Sequence, residues 1–191
     1  MRKVIFDIET KNTFAEVGTR DPSLLDLSLV SIHDSETESI TSYFEEDLGR
    51  LWQILERADV LIGFNSDHFD IPILNKYYPG DLLNIKSLDL LVEIRNSLGR
   101  RIGLDAIAEA TLGIRKSGHG LQAIEWWRSG EVDKLQKYCE QDVKITKSVY
   151  DFARENSYVQ FKADDGLRKI PLNTEHWDTP EEKSITHTLP F

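Results

Sequence analysis

Residues Lys3 to Ile8 read KVIFDI, a short, β-branched and nearly continuous apolar run that meets a carboxylate at Asp7. A strand with this pattern is covered on both faces, so other elements must pack above and below it. Val60 to Phe64 has the same character. Leu27–His33 and Glu38–Phe44 read as two further strands, with Asp34-Ser35 near the turn between them. Leu48 to Ala58 carries Leu48, Leu51, Trp52 and Leu55 at helical spacing. Phe69 to Tyr77 reads as a short helix ended by Pro79-Gly80. Leu104–Leu112 and Leu121–Trp127 read as helices closed by Gly113 and Gly130, and the longest helix runs from Val132 to about Ala153. Strands come early and helices late, which predicts a mixed α/β domain over residues 1–155. Residues 156–191 differ: Tyr158–Lys162 and Leu167–Leu172 flank Ala163-Asp164-Asp165-Gly166, a hairpin signal, and a polar, aperiodic and loosely held tail follows.

One domain of 191 residues, 40% of them apolar, buries a sufficient core without disulfides or structural metal. No apolar run approaches the ~18 residues of a membrane helix, so no membrane partner is expected. The N-terminus meets a carboxylate by residue 7 and does not read as a signal peptide. The single Cys139 fits a reducing compartment, and the expected location is the cytoplasm. Net charge is −10, which argues against non-specific wrapping of nucleic acid. The charge is uneven. Asp34 to Asp47 holds six acids and no base, and reads as a solvated face. Arg95 to Lys116 holds five bases against Asp105 and Glu109.

Several carboxylates stand where carboxylates are costly. Asp7 and Glu9 lie two apart on a strand, hence on one face about 6–7 Å apart. Leu135, Tyr138, Asp142, Ile145, Val149 and Phe152 form one helical stripe in which Asp142 interrupts apolar and aromatic residues. Asp142 therefore faces the core, with Tyr138 one turn, roughly 6 Å, before it. In Gly63-Phe64-Asn65-Ser66-Asp67-His68-Phe69-Asp70 a buried strand turns into a helix. Taken alone, Asp70 reads as a cap on that helix and Asn65 as a turn residue. Together, four converging carboxylates suit two hard divalent cations, Mg²⁺ or Mn²⁺. The five histidines are dispersed, and no His/Cys cluster suggests zinc. Two such ions about 4 Å apart form a clamp for displacement at a phosphodiester, so the expected chemistry is metal-dependent phosphodiester hydrolysis.

The ordered set FDIET (Phe6–Thr10), NSDHFD (Asn65–Asp70) and YCEQD (Tyr138–Asp142) resembles the three motifs of the DEDD, or DnaQ-like, 3′–5′ exonucleases. It is most similar to the tyrosine subtype, which includes the proofreading domain of family B DNA polymerases. The resemblance covers roughly residues 1–155 and implies an RNase H-like fold, a central mixed sheet flanked by helices. It implies that Asp7, Glu9 and Asp142 hold the ion that binds the attacking water, that Asp7 bridges to a second ion, and that Asp70 steadies the second ion's water shell. Tyr138 would orient the nucleophilic water. The histidine subtype would need His five residues before Asp142, where this chain has Lys137. Thr10, Asn65, Phe69 and Lys116 fall at positions that imply substrate contact, although Phe69 reads as well as a buried helix residue. Arg100, Arg101, Arg115 and Lys116 could supply the few phosphate contacts that gripping one strand end requires.

The expected function is a 3′–5′ exonuclease acting on single-stranded DNA or RNA ends, with a polymerase or helicase as a possible partner. The alternative is a non-catalytic or partner-activated nucleic-acid-binding module of the same fold. Reading FDIET as the aspartyl-phosphate motif of a HAD-type phosphatase fails at Glu9, where that chemistry needs Asp.

Overall fold

The computed structural model describes residues 1–115 and 120–179. The elements run in the order β1 (Lys3–Thr10), α1 (Phe14–Val17), β2 (Leu27–Asp34), β3 (Ser39–Tyr43), α2 (Leu48–Leu55), β4 (Val60–Gly63) and α3 (Asp70–Asn75). There follow β5 (Ser87–Asp89), α4 (Leu90–Leu98), α5 (Leu104–Leu112), α6 (Gly120–Ser129), α7 (Val132–Asn156), β6 (Tyr158–Ala163) and β7 (Gly166–Pro171). Five strands form one sheet in the order β3-β2-β1-β4-β5. β1 pairs antiparallel with β2 and parallel with β4, β4 pairs parallel with β5, and β2 pairs antiparallel with β3. The fold is RNase H-like: a mixed sheet between helical layers, with β6 and β7 as a separate antiparallel hairpin.

β1 is the central strand, and its alternation decides what faces what. Val4, Phe6 and Ile8 join a core with Leu51 and Trp52 of α2 and with Ile71 and Leu74 of α3. Ile5 points the other way, into a core shared with Ile107 of α5 and with Val143 and Val149 of α7. Asp7 and Glu9 have the parity of Ile5, so they face α7. Tyr138, Asp142, Ile145 and Val149 of the expected stripe are buried on α7, whereas Phe152 lies at its edge against the ring of Tyr158.

Three expectations are corrected. Asp34 is not on a solvated face: it is buried, and Arg2 holds it through Nη2 to Oδ2 at 2.6 Å and Nε to Oδ1 at 3.1 Å. Residues 173–179 are not loosely held. Trp177 is fully buried in the α5–α7 core, stacks on Tyr150 with ring centroids 5.6 Å apart, and donates Nε1–H to Glu93. Asp178 pairs with Lys3 at 2.7 Å and accepts a hydrogen bond from Tyr150 Oη at 2.8 Å. The expected tail beyond residue 179 lies outside the described residues. Third, the expected helix from Phe69 to Tyr77 spans only Asp70–Asn75.

Candidate metal centre and nucleic-acid site

One oxygen from each of Asp7, Glu9 and Asp142 lies within 4.8 Å of the others. Glu9 and Asp142 are buried, whereas Asp7 is half-exposed at the mouth. Strand alternation brings Asp7 and Glu9 to one face, and the helical stripe of α7 lays Asp142 over them. Beside Asp142, Tyr138 is also buried, its ring edge-on to Trp126 at 5.7 Å between centroids. The donor set is three carboxylates, which fits a hard divalent cation and does not suit soft metals.

Asp70 lies outside this trio and reaches the same strand through the backbone. It is the first residue of α3 rather than its N-cap, and its Oδ1 accepts the Ile8 N–H at 3.2 Å, between Asp7 and Glu9. The capping reading is thereby overturned: the carboxylate ties α3 to the central strand. Burial, and after it the charge of Asp89, push the Asp70 carboxyl up to about 8. A nearby cation is what would hold such a group ionised at neutral pH.

Two supporting residues escaped the sequence analysis. Cys139 is buried beside the trio, and its thiol donates to the Asp7 main-chain oxygen at 3.3 Å. Burial, then the charges of Asp7 and Glu9, push that thiol well up, so it stays neutral and acts as a donor. Asp89 caps α4 and accepts the N–H groups of Leu91 at 2.9 Å and Asn65 at 2.7 Å on Oδ1, and of Asp67 at 3.1 Å on Oδ2. Burial raises its pKa, and these N–H groups oppose the rise. An Asp directly before Leu90-Leu91, with Ile94 one turn on, is an N-cap signal that could have revealed it.

Asp89 holds the turn in which Asn65 sits at φ +68°, a left-handed conformation that Asn tolerates better than most residues. The Asn65 Oδ1 accepts from Arg101. Gly63 makes the turn possible, because a Cβ there would lie 2.4 Å from the buried side chain of Ser66.

The remaining expected substrate residues are spread out. Thr10 is buried, and its hydroxyl donates to the Asn12 carbonyl at 3.0 Å. Phe69 is half-buried just before α3 and packs edge-on to Phe14 at 6.0 Å. Arg115 is paired with Glu109 at 2.9 Å, and Arg100 lies over the Phe161 ring. Lys116 lies outside the described residues.

A family model of the RNase_H superfamily, RNase_H_2, matches residues 4–154. The chain belongs to the RNase H superfamily. No curated protein matches the sequence. Among solved structures, the family B DNA polymerase from the hyperthermophilic archaeon Pyrobaculum calidifontis superposes with a TM-score of 0.63 at 18% identity. The match covers 80% of this chain and 24% of the polymerase, so this RNase H-like chain spans about a quarter of that protein. No helix among the described residues is long and apolar enough to cross a membrane.

Proposed function

We propose that this RNase H-like chain is a metal-dependent 3′–5′ exonuclease of the DEDD tyrosine subtype, removing nucleotides from the 3′ ends of single-stranded DNA or RNA. The convergence of Asp7, Glu9 and Asp142 within 4.8 Å carries the reading. These three would hold one Mg²⁺ or Mn²⁺, and Asp7 with Asp70 would serve a second. When bound, the ions supply Lewis acidity at the phosphoryl oxygens and lower the pKa of a bound water.

The protein's own groups position the reaction. Tyr138, one turn before Asp142 on the same buried face, presents its Oη to the attacking water. A neutral phenol both donates and accepts hydrogen bonds, so this role needs no shifted pKa. Asp70, bonded to Ile8 N–H, fixes the strand segment that separates Asp7 from Glu9. Cys139 pins the Asp7 carbonyl from the α7 side. Asn65 and Phe69 lie on the turn leading into α3 and are assigned to the 3′-terminal nucleotide. Thr10 and Lys116 complete the proposed substrate set. The overlap with a domain-sized part of a DNA polymerase supports a polymerase as the functional partner, and a helicase is the other candidate.

The test is a time course on 5′-labelled single-stranded DNA and RNA of one sequence, with Mg²⁺, with Mn²⁺ and with chelator, beside Asp7→Ala. A metal-dependent ladder shortening from the 3′ end, absent in the variant, is expected. No cleavage with either ion would refute an autonomous enzyme and favour the partner-activated or non-catalytic binding module.

A further inference from the structure

The carboxyl ends of β4 and β5 open onto a cleft of about 410 Å³, whose lining includes Asn65, Asp67, His68, Asp89, Arg95 and Arg101. Ligands of open α/β sheets bind in crevices of this kind. β1, β4 and β5 are neighbours in that order, with Ile5 opposite Ile62 and Gly63 opposite Asp89. Asp7 and the cleft therefore share one sheet edge, two strand spacings or about 10 Å apart.

The cleft holds two guanidinium groups without ion-pair partners. Arg95 and Arg101 are exposed and, among the described residues, neither is in an ion pair, whereas Arg2, Arg115 and Arg128 are each held by a carboxylate. The two acids of the cleft keep their charge, but among the described residues neither pairs with these arginines, and their oxygens already accept other hydrogen bonds. Asp89 is buried under backbone N–H groups, and Asp67 accepts from Ser87 Oγ at 2.5 Å. In a chain of net charge −10, two guanidinium groups beside a metal site form a local anion receptor, because the planar fork matches phosphate oxygens.

We infer that this cleft binds a phosphodiester of the retained strand, one or two nucleotides 5′ of the scissile bond, through Arg95 and Arg101. The inference rests on the exonuclease reading and supplies its grip on single strands. Arg101 contributes twice, since its bond to Asn65 Oδ1 links the phosphate contact to the turn at the 3′-terminal nucleotide. His68, exposed at the mouth, adds a further donor.

Arg95→Ala, Arg101→Ala and Arg101→Lys are compared with the unaltered chain on two substrates. One is a labelled single strand; the other is the p-nitrophenyl ester of thymidine 5′-monophosphate, which carries only the scissile phosphate. Each alanine variant is expected to raise KM for the strand about tenfold, the loss of one charge-assisted contact. kcat, and both constants for the ester, stay unchanged in Arg95→Ala, whereas Arg101→Ala also frees Asn65 and raises KM for the ester, by less than for the strand. Arg101→Lys keeps the charge without the fork and falls between. Equal losses on both substrates would overturn the inference, because they would mean that the arginines serve the scissile phosphate or merely hold the Asn65 turn. Unchanged KM for the strand would also overturn it. Should the unaltered chain cleave neither substrate, the exonuclease reading falls, and anisotropy of a labelled strand with Ca²⁺ decides this point separately. Weaker binding by both alanine variants, each with a salt slope shallower by about 0.7, supports the cleft, and unchanged binding refutes it.

Discussion

Replacing Asp70 by asparagine tests whether this part of the centre is built for cations. The Asp70 carboxyl ordinarily titrates at 3.8 and is pushed up to about 8 in the metal-free fold. With the folded-state value above the unfolded one, the stability from holding the proton is whole below pH 4 and is lost as pH rises through 8. Relative to that low-pH plateau, each pH unit in this window costs the metal-free protein up to about 1.4 kcal/mol. The accumulated loss is about 1.5 kcal/mol at pH 5 and about 4 kcal/mol at pH 7. The amide introduced by Asp70→Asn cannot ionise, and its oxygen can still accept the Ile8 N–H. Any misfit of that amide adds a term independent of pH, so the readout is the widening of the gap between the two proteins. At 2–4 °C per kcal/mol for a chain of this size, the advantage of Asp70→Asn in chelator should grow by roughly 5–10 °C from pH 5 to pH 7. Thermal melts by circular dichroism at half-unit pH steps measure it. Mn²⁺ should narrow or reverse the gap, since binding at a hundred times Kd stabilises the unaltered protein by about 2.7 kcal/mol. A gap constant with pH, or one that closes as pH rises, would refute the reasoning that burial and Asp89 hold this carboxyl neutral.

Asp7→Ala and Asp142→Ala should each abolish cleavage while circular dichroism shows the fold intact, and Tyr138→Phe should slow cleavage by less than either; equal defects would mean that Tyr138 does more than orient water. Trp177→Ala should destabilise by about 3–5 kcal/mol, because a fully buried indole is removed, and lower Tm by roughly 6–20 °C. Its kcat at low temperature should be unchanged, since Trp177 stacks on Tyr150, three turns along α7 from Tyr138. Gly63→Ala should cost about 1–3 kcal/mol by overpacking against Ser66 and should impair cleavage, because the turn carrying Asn65 and Asp70 must shift.

Much of this was legible in the chain because period and burial agree. The alternation in β1 and the stripe on α7 each extend over several residues, and a carboxylate inside either stands out against its neighbours. β5 and α4 were not legible for the opposite reason. Ser87–Asp89 is too short to show a period of two, and Leu88-Asp89-Leu90-Leu91 merges strand into helix without a break. Asp89 was overlooked with them, although it holds the turn before α3. Trp177 is one aromatic residue in a polar, aperiodic stretch, so its burial depends on the cavity that α4, α7 and the hairpin leave for it. Asp34 belonged by charge to an acidic run, and only the antiparallel pairing of β1 with β2 brings Arg2 to it. Asp70 announced itself as a helix cap, and its bond to Ile8 depends on a strand 62 residues earlier.

The same register that makes the core makes the site. A one-residue slip of β1 would turn Asp7 and Glu9 toward Leu51, Trp52 and Ile71, and would present Phe6 and Ile8 to Asp142. Burying two carboxylates among apolar side chains costs several kcal/mol each, so the slipped state is excluded by the charges as well as by the lost packing. Asp7 and Glu9 therefore help to specify the fold. The bond from Ile8 N–H to Asp70 and that from Cys139 to the Asp7 carbonyl hold β1 from both neighbouring layers at this point. A side chain on a central strand, clamped from the layers above and below, moves little, and a centre that must place a water against a phosphate needs that rigidity.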